Sequence, residues 1–209
     1  MPQFVTAIML VFICSLVLSF IFFIMRRPIL RMQNFRDDLS AVQAVHSVSA
    51  PRTGGVAIVL ALLVGLTWAD DTSSVLEHSK FMVTVVPVFL VGLSEDFGYF
   101  ISPKLRLLSA SVSGMLFVLL FNQWIPRSDF PVLDTILLWS PFAIALSVFI
   151  AVAIGHAFNL IDGLNGLSAL IGIATALSLA IIADAAGLSG HRSMLILIAA
   201  AITGFLIFN

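Results

Sequence analysis

Apolar residues run through this chain in long continuous blocks separated by short polar stretches. Seven blocks can be drawn, over residues 4–25, 54–69, 81–93, 105–121, 141–160, 164–186 and 193–208. Within them apolar and polar positions do not alternate, as they would along the roughly ten-residue strands of a membrane barrel. Continuous runs approaching about 20 residues predict helices that cross a bilayer. The expected fold is all-α, a polytopic transmembrane helix bundle of about seven spans. By length alone, 54–69 and 81–93 are the weakest spans. The longest polar stretch, 26–52, has room for a short amphipathic element. With no repeat, low-complexity tract or long linker, residues 1–209 read as a single integral membrane domain.

Composition agrees with the pattern and excludes other classes. Of 209 residues, 60% are hydrophobic and only 10% charged, against roughly 25% charged in soluble domains. Mean hydropathy is +1.14. These residues cannot clothe a soluble enzyme, and they are too apolar for a disordered chain. A net charge of −1 offers no basic footprint for nucleic acid. The lone cysteine, Cys14, can form no intramolecular disulfide.

Charge then sets an expected orientation. Arg26, Arg27, Arg31, Arg36, Arg52, Lys104 and Arg106 fall in loops on one side. Only Lys80, Arg127 and Arg192 fall on the other, among several acids. The positive side is read as cytoplasmic, which puts the N-terminus outside. Positive residues follow the first apolar run instead of preceding it, the reverse of a secretory signal. Trp68, Trp124 and Trp139 sit near the expected outer ends, where an interfacial aromatic belt belongs.

Three polar motifs fall on the expected cytoplasmic side. The first runs from His46 through Pro51-Arg52-Thr53-Gly54-Gly55. It reads as a basic, glycine-containing loop that meets an anionic group, or as a helix start with a positive-inside arginine. The second is Gly92-Leu93-Ser94-Glu95-Asp96. Two carboxylates at a helix C-terminus oppose the helix dipole, and a bound hard cation would offset that; a solvated helix end is the alternative. Ser102-Pro103-Lys104-Leu105-Arg106 follows, with Ser102 as N-cap and Pro103 as first helical residue. Lys104 and Arg106 would attract phosphate or simply anchor the helix. The third motif is Asn159-Leu160-Ile161-Asp162-Gly163-Leu164-Asn165-Gly166-Leu167. Asn159, Asp162 and Asn165 share a face if the backbone stays near-helical; a tight turn between spans is the alternative. His156, one turn earlier, reads as a packing residue. Carboxylates beside basic groups at a membrane face are suited to phosphoryl transfer.

These three motifs, in this order and with these intervening helices, resemble those of the polyprenyl-phosphate N-acetylhexosamine-1-phosphate transferases (glycosyltransferase family 4). The resemblance covers nearly the whole chain, and the third motif is its most specific part. It implies transfer of a sugar-1-phosphate from a UDP-N-acetylhexosamine to undecaprenyl phosphate. UMP would be released at the face of a bacterial cytoplasmic membrane, in cell-wall or surface-polysaccharide synthesis. It implies Mg²⁺ (or Mn²⁺), with Glu95, Asp96 and Asp162 as catalytic and metal-side residues. It implies that His46, Arg52, Lys104, Arg106, Asn159, Gly163, Leu164 and Asn165 contact substrates.

Two positions depart from the family pattern. Glu95 stands where Asp is usual, and Asn165 where Asp is frequent. The family's Phe-x-Gly-Asp-x-Gly motif would follow Phe208, so the chain resembles the N-terminal part of a ten- or eleven-helix transferase. Two further readings are a catalytically silent relative that binds lipid phosphate or UDP-sugar, and a small transporter with Glu95 and Asp96 on an ion path.

Overall fold

A computed structural model describes residues 2–25, 54–66, 72–161 and 166–208. Among these residues there is no strand, and eight helices follow in order. They are α1 (Pro2–Ile24), α2 (Gly54–Leu66), α3 (Thr72–Asp96), α4 (Pro103–Phe121), α5 (Pro131–Leu137), α6 (Ser140–Ile161), α7 (Leu167–Ala185) and α8 (Ser189–Leu206). The chain is thus a polytopic helical bundle.

Each of the seven apolar blocks holds one of these helices over its described residues, with two differences from expectation. Six helices among the described residues are long and apolar enough to cross a membrane; α2 is apolar but shorter. Its 13 residues rise only about 20 Å, against a hydrocarbon core of about 30 Å. Conversely α3 begins nine residues before its apolar block, at Thr72 instead of residue 81. Glu77, His78 and Lys80 interrupt the apolar run but do not oppose a helix, so hydropathy marks the lipid-facing length and not the helix. The short α5 lies in a stretch the sequence pattern left as loop.

Contacts divide the chain into two compact units. One holds α1, α2, α7 and α8 with the first turns of α3. In it α1 packs on α2 and α8, and α8 also packs on α2 and α7. The buried face of α1 is Ala7, Val11, Ser15 and Ser19, one residue per turn. Small side chains let helices approach closely where no hydrophobic effect drives them together. The Ser15 hydroxyl donates to the Ala201 carbonyl of α8 at 2.6 Å. A Cβ on Gly204 would stand 2.6 Å from the Phe12 carbonyl oxygen. Alanines 169, 176, 180 and 183 form the buried stripe of α7. His78, 2% exposed, lies 3.3 Å from the Ser193 hydroxyl.

The other unit holds the rest of α3 as far as Glu95, with α4, α5 and α6. Here α4 and α6 meet where a Cβ on Gly114 would lie 3.3 Å from the Val148 side chain. Asn122 ends α4 in the left-handed conformation, φ 52°. The Ile125 amide then donates to the Ser147 hydroxyl at 2.8 Å. The Ser128 amide and hydroxyl both donate to Asp134 Oδ1, at 2.6 and 2.7 Å. The Ser128 amide above all, then its hydroxyl, hold the Asp134 carboxyl below its usual range, with Arg127 nearby adding to the effect.

Two outcomes follow from these contacts. Gly204→Val lowers the stability of the detergent-solubilised protein by about 1–3 kcal/mol through overpacking, whereas Ser15→Ala costs only about 0.6 kcal/mol; thermal unfolding distinguishes them. The lowered carboxyl of Asp134 stabilises its loop above the ordinary carboxylate value, and that support disappears as pH falls through the lowered one. Protection of the Ser128 amide from hydrogen exchange therefore declines on acidification in the wild type, and is weak with no such pH dependence in Asp134→Asn.

Candidate active site

Glu95 of the acidic pair and Arg106 of the basic residues after it meet where α3 and α4 are joined. Helix α3 ends at Asp96, and Gly98 follows with φ 87°, a backbone that glycine adopts without strain. Ser102 then caps α4: its backbone is extended and its hydroxyl accepts from the Leu105 amide at 3.3 Å. Pro103 occupies the first turn, where its missing N–H leaves no bond unmade. The cap and proline expected from the sequence both form.

This hairpin brings Glu95 to Arg106. Nη2 of Arg106 lies 3.3 Å from Oε1 of Glu95, with the side chains 38% and 29% exposed. Each charge is badly placed on its own helix. Glu95 lies in the last turn of α3, where carbonyl oxygens crowd. Arg106 lies at the start of α4, where amide hydrogens converge. A misplaced surface charge costs some tenths of a kcal/mol, and pairing the two cancels both penalties. Arg106 Nε is buried and has no hydrogen-bond partner among the described residues. The Ser109 hydroxyl bonds back to the Arg106 carbonyl at 2.9 Å. Ser109 and Ser113, three and seven residues after Arg106, extend its polar face along α4, and the buried Ser113 hydroxyl is unpartnered among the described residues. That spacing was visible in the sequence, but the motif reading stopped at Arg106.

The remaining predicted residues fall as follows. Asp96 is the last residue of α3 and half-buried. Lys104 is exposed in the first turn of α4, and Asn159 is exposed in the last turn of α6. The ring of His156 carries a buried Nε2 with no hydrogen-bond partner among the described residues. Gly54 opens α2 as a packing residue, since a Cβ there would overlap the Phe205 ring; Gly55 faces open space. His46, Arg52, Asp162, Gly163, Leu164 and Asn165 lie outside the described residues, as does Trp68.

Carboxylate oxygens such as those of Glu95 and Asp96 suit a hard cation. Among the described residues no group of three His, Cys, Asp or Glu side chains converges as a metal site. Glu95 is already engaged by Arg106, whose guanidinium fork also fits a phosphate.

Comparison with known proteins agrees with the family resemblance. The sequence profile named Glycosyl transferase family 4 matches residues 78–209. A phospho-N-acetylmuramoyl-pentapeptide-transferase of Pelagibacter ubique (strain HTCC1062) is 29% identical over 184 residues, which cover 80% of this chain and 49% of the relative. A "Probable undecaprenyl-phosphate N-acetylglucosaminyl 1-phosphate transferase" of Bacillus subtilis (strain 168) is 26% identical over 177 residues, covering 82% of this chain and 47% of that relative. The chain spans about half the length of the curated relatives it matches. No solved structure gives a significant match.

The Glu95–Arg106 pair is testable apart from any activity. Glu95→Gln and Arg106→Gln each lower thermal stability, and the double-mutant cycle returns a coupling of about 0.2–1 kcal/mol for a partly exposed pair.

Proposed function

The chain belongs to glycosyl transferase family 4, and from that premise we propose that it carries the acidic and basic part of a membrane transferase site. The site passes an N-acetylhexosamine-1-phosphate from its UDP carrier to undecaprenyl phosphate. The observation behind this reading is the ion pair of Glu95 and Arg106, at the joined ends of two membrane-length helices.

In this reading a phosphate oxygen of the lipid attacks the β-phosphorus of the UDP-sugar. The bond from that phosphorus to the bridging oxygen breaks, and UMP leaves with the electron pair. Arg106 and Lys104 hold phosphate oxygens, with His46 and Arg52 joining them from the loop before α2. Asn159, Gly163, Leu164 and Asn165 face the diphosphate and nucleoside. Asp162, with Glu95 and Asp96, would hold Mg²⁺ (or Mn²⁺), which supplies charge neutralisation at the diphosphate. The site faces the cytoplasm of a bacterial inner membrane. There a lipid phosphate and a soluble nucleotide can meet without either crossing the hydrocarbon.

A second reading is a protein that binds lipid phosphate or UDP-sugar without turnover. It draws on Arg106 already engaging Glu95, with a guanidinium fork that also fits a phosphate.

One assay separates the two. UMP release is measured with undecaprenyl phosphate and a panel of UDP-N-acetylhexosamines, with and without chelator. Transfer that stops with EDTA and returns with Mg²⁺ supports the first reading. Binding without UMP release supports the second. Asp162→Ala and Asp96→Asn each lower turnover by about 10²–10³-fold, as expected for loss of a group that stabilises developing charge; unchanged turnover in Asp162→Ala would remove that residue from the site.

A further inference from the structure

The connection between α4 and α6 is the least expected part of the second unit. Its short helix α5 (Pro131–Leu137) was not predicted from the sequence. It joins two helices of membrane-crossing length and composition, so both of its ends are tethered at a bilayer boundary. It lies at the other end of α4 from Arg106, and the helix from Arg106 to Phe121 rises about 22 Å.

The side chains of this connection are sorted. Leu137 is buried, 4% exposed, and Leu133 shares its face one turn earlier. Val132, Ile136 and Trp139 follow one another at helical spacing on an outward face. Val132 is 75% exposed, Trp139 66%, and the adjoining Phe130 and Leu138 72% and 85%. Water would be a poor solvent for five large apolar side chains exposed within ten residues. The charged groups stand apart. Arg127 pairs with Asp129, both largely exposed, and Asp134 is occupied by Ser128. This Ser128–Asp134 clasp, with the left-handed Asp129 at φ 64°, fixes which side of the segment is apolar.

We infer that α5 and its flanks are a lipid-binding wedge. The outward face formed by Phe130, Val132, Ile136, Leu138 and Trp139 inserts into the interfacial layer of the bilayer, on the side opposite the Glu95–Arg106 pair. The partner is the lipid surface itself, because the spans on either side place the segment where headgroups meet acyl chains. Trp139 and Trp124 at its two ends suit that layer, which accepts an apolar ring with a polar N–H. The Arg127–Asp129 pair stays in water. The wedge holds one end of α4 at fixed depth, and with it the depth of Arg106 at the other end.

The inference rests on α4 and α6 being membrane spans, and the test separates the two claims. The protein is reconstituted into phosphatidylcholine vesicles in a Cys14→Ser background. Single cysteines at Val132, Leu138, Arg127 or Met115 are labelled with an environment-sensitive fluorophore. Labels at 132 and 138 should be quenched several-fold more by a lipid carrying a nitroxide near its headgroup than by aqueous iodide. The label at 127 should show the reverse. If 132 and 138 respond to iodide as 127 does, the segment lies in water and the wedge is wrong. If neither quencher reaches them, protein covers the face and the lipid assignment is equally overturned. Two sites are used so that poor folding of one variant leaves the other decisive. Met115, midway along α4 and outward-facing, reports on the span: quenching by iodide there would overturn the membrane reading itself.

Discussion

In hydrocarbon a backbone amide or carbonyl with no partner costs several kcal/mol, and that penalty organises this chain. Every long element must satisfy its own peptide groups, so every long element is a helix. Satisfied backbones and apolar side chains leave little chemistry along the spans. Most polar function is displaced to helix ends and to the short connections between them. Glu95, Asp96, Arg106 and the capping Ser102 all fall at the facing ends of α3 and α4 or in the turn between them.

The same constraint explains how the helices hold together. Lipid tails compete for apolar side chains, so burial of a large residue between helices gains little over leaving it in lipid. Close approach and hydrogen bonding take its place. The α1–α8 contact shows both: Gly204 lets backbones nearly touch, and Ser15 donates to a carbonyl of the facing helix. The large side chains point outward instead, as Met9, Ile13 and Val17 do on α1.

At the site, two charges that each oppose a helix dipole are placed so that they neutralise one another. Arg106 gives Glu95 a counter-charge that belongs to the chain, and Glu95 keeps the guanidinium oriented toward the loop. Glu95 reaches one methylene further than an Asp would, which lengthens its reach toward an arginine on the next helix. Family membership and the paired charges at a helix terminus are the two supports of the proposed phosphoryl chemistry.

Much of this was legible in the sequence, for a physical reason. Continuous apolar runs specify lipid-facing helices without reference to any other part of the chain. The Ser102 cap, the Pro103 start and the acidic and basic motifs are likewise local. The limits of hydropathy show where locality fails. It ended α3 short of its true start because Glu77, His78 and Lys80 suit a helix leaving the membrane as well as a loop. It gave no sign of α5, whose seven residues depend on the clasp between Ser128 and Asp134. It could not pair Glu95 with Arg106, since that distance depends on how two helices turn back on each other. The sequence by itself determined a membrane-crossing, all-helical protein and where its chemistry is strung along the chain. Only the tertiary structure decided which charges meet and which small residues let helices close, because packing in lipid depends on complementary shape and not on hydrophobicity.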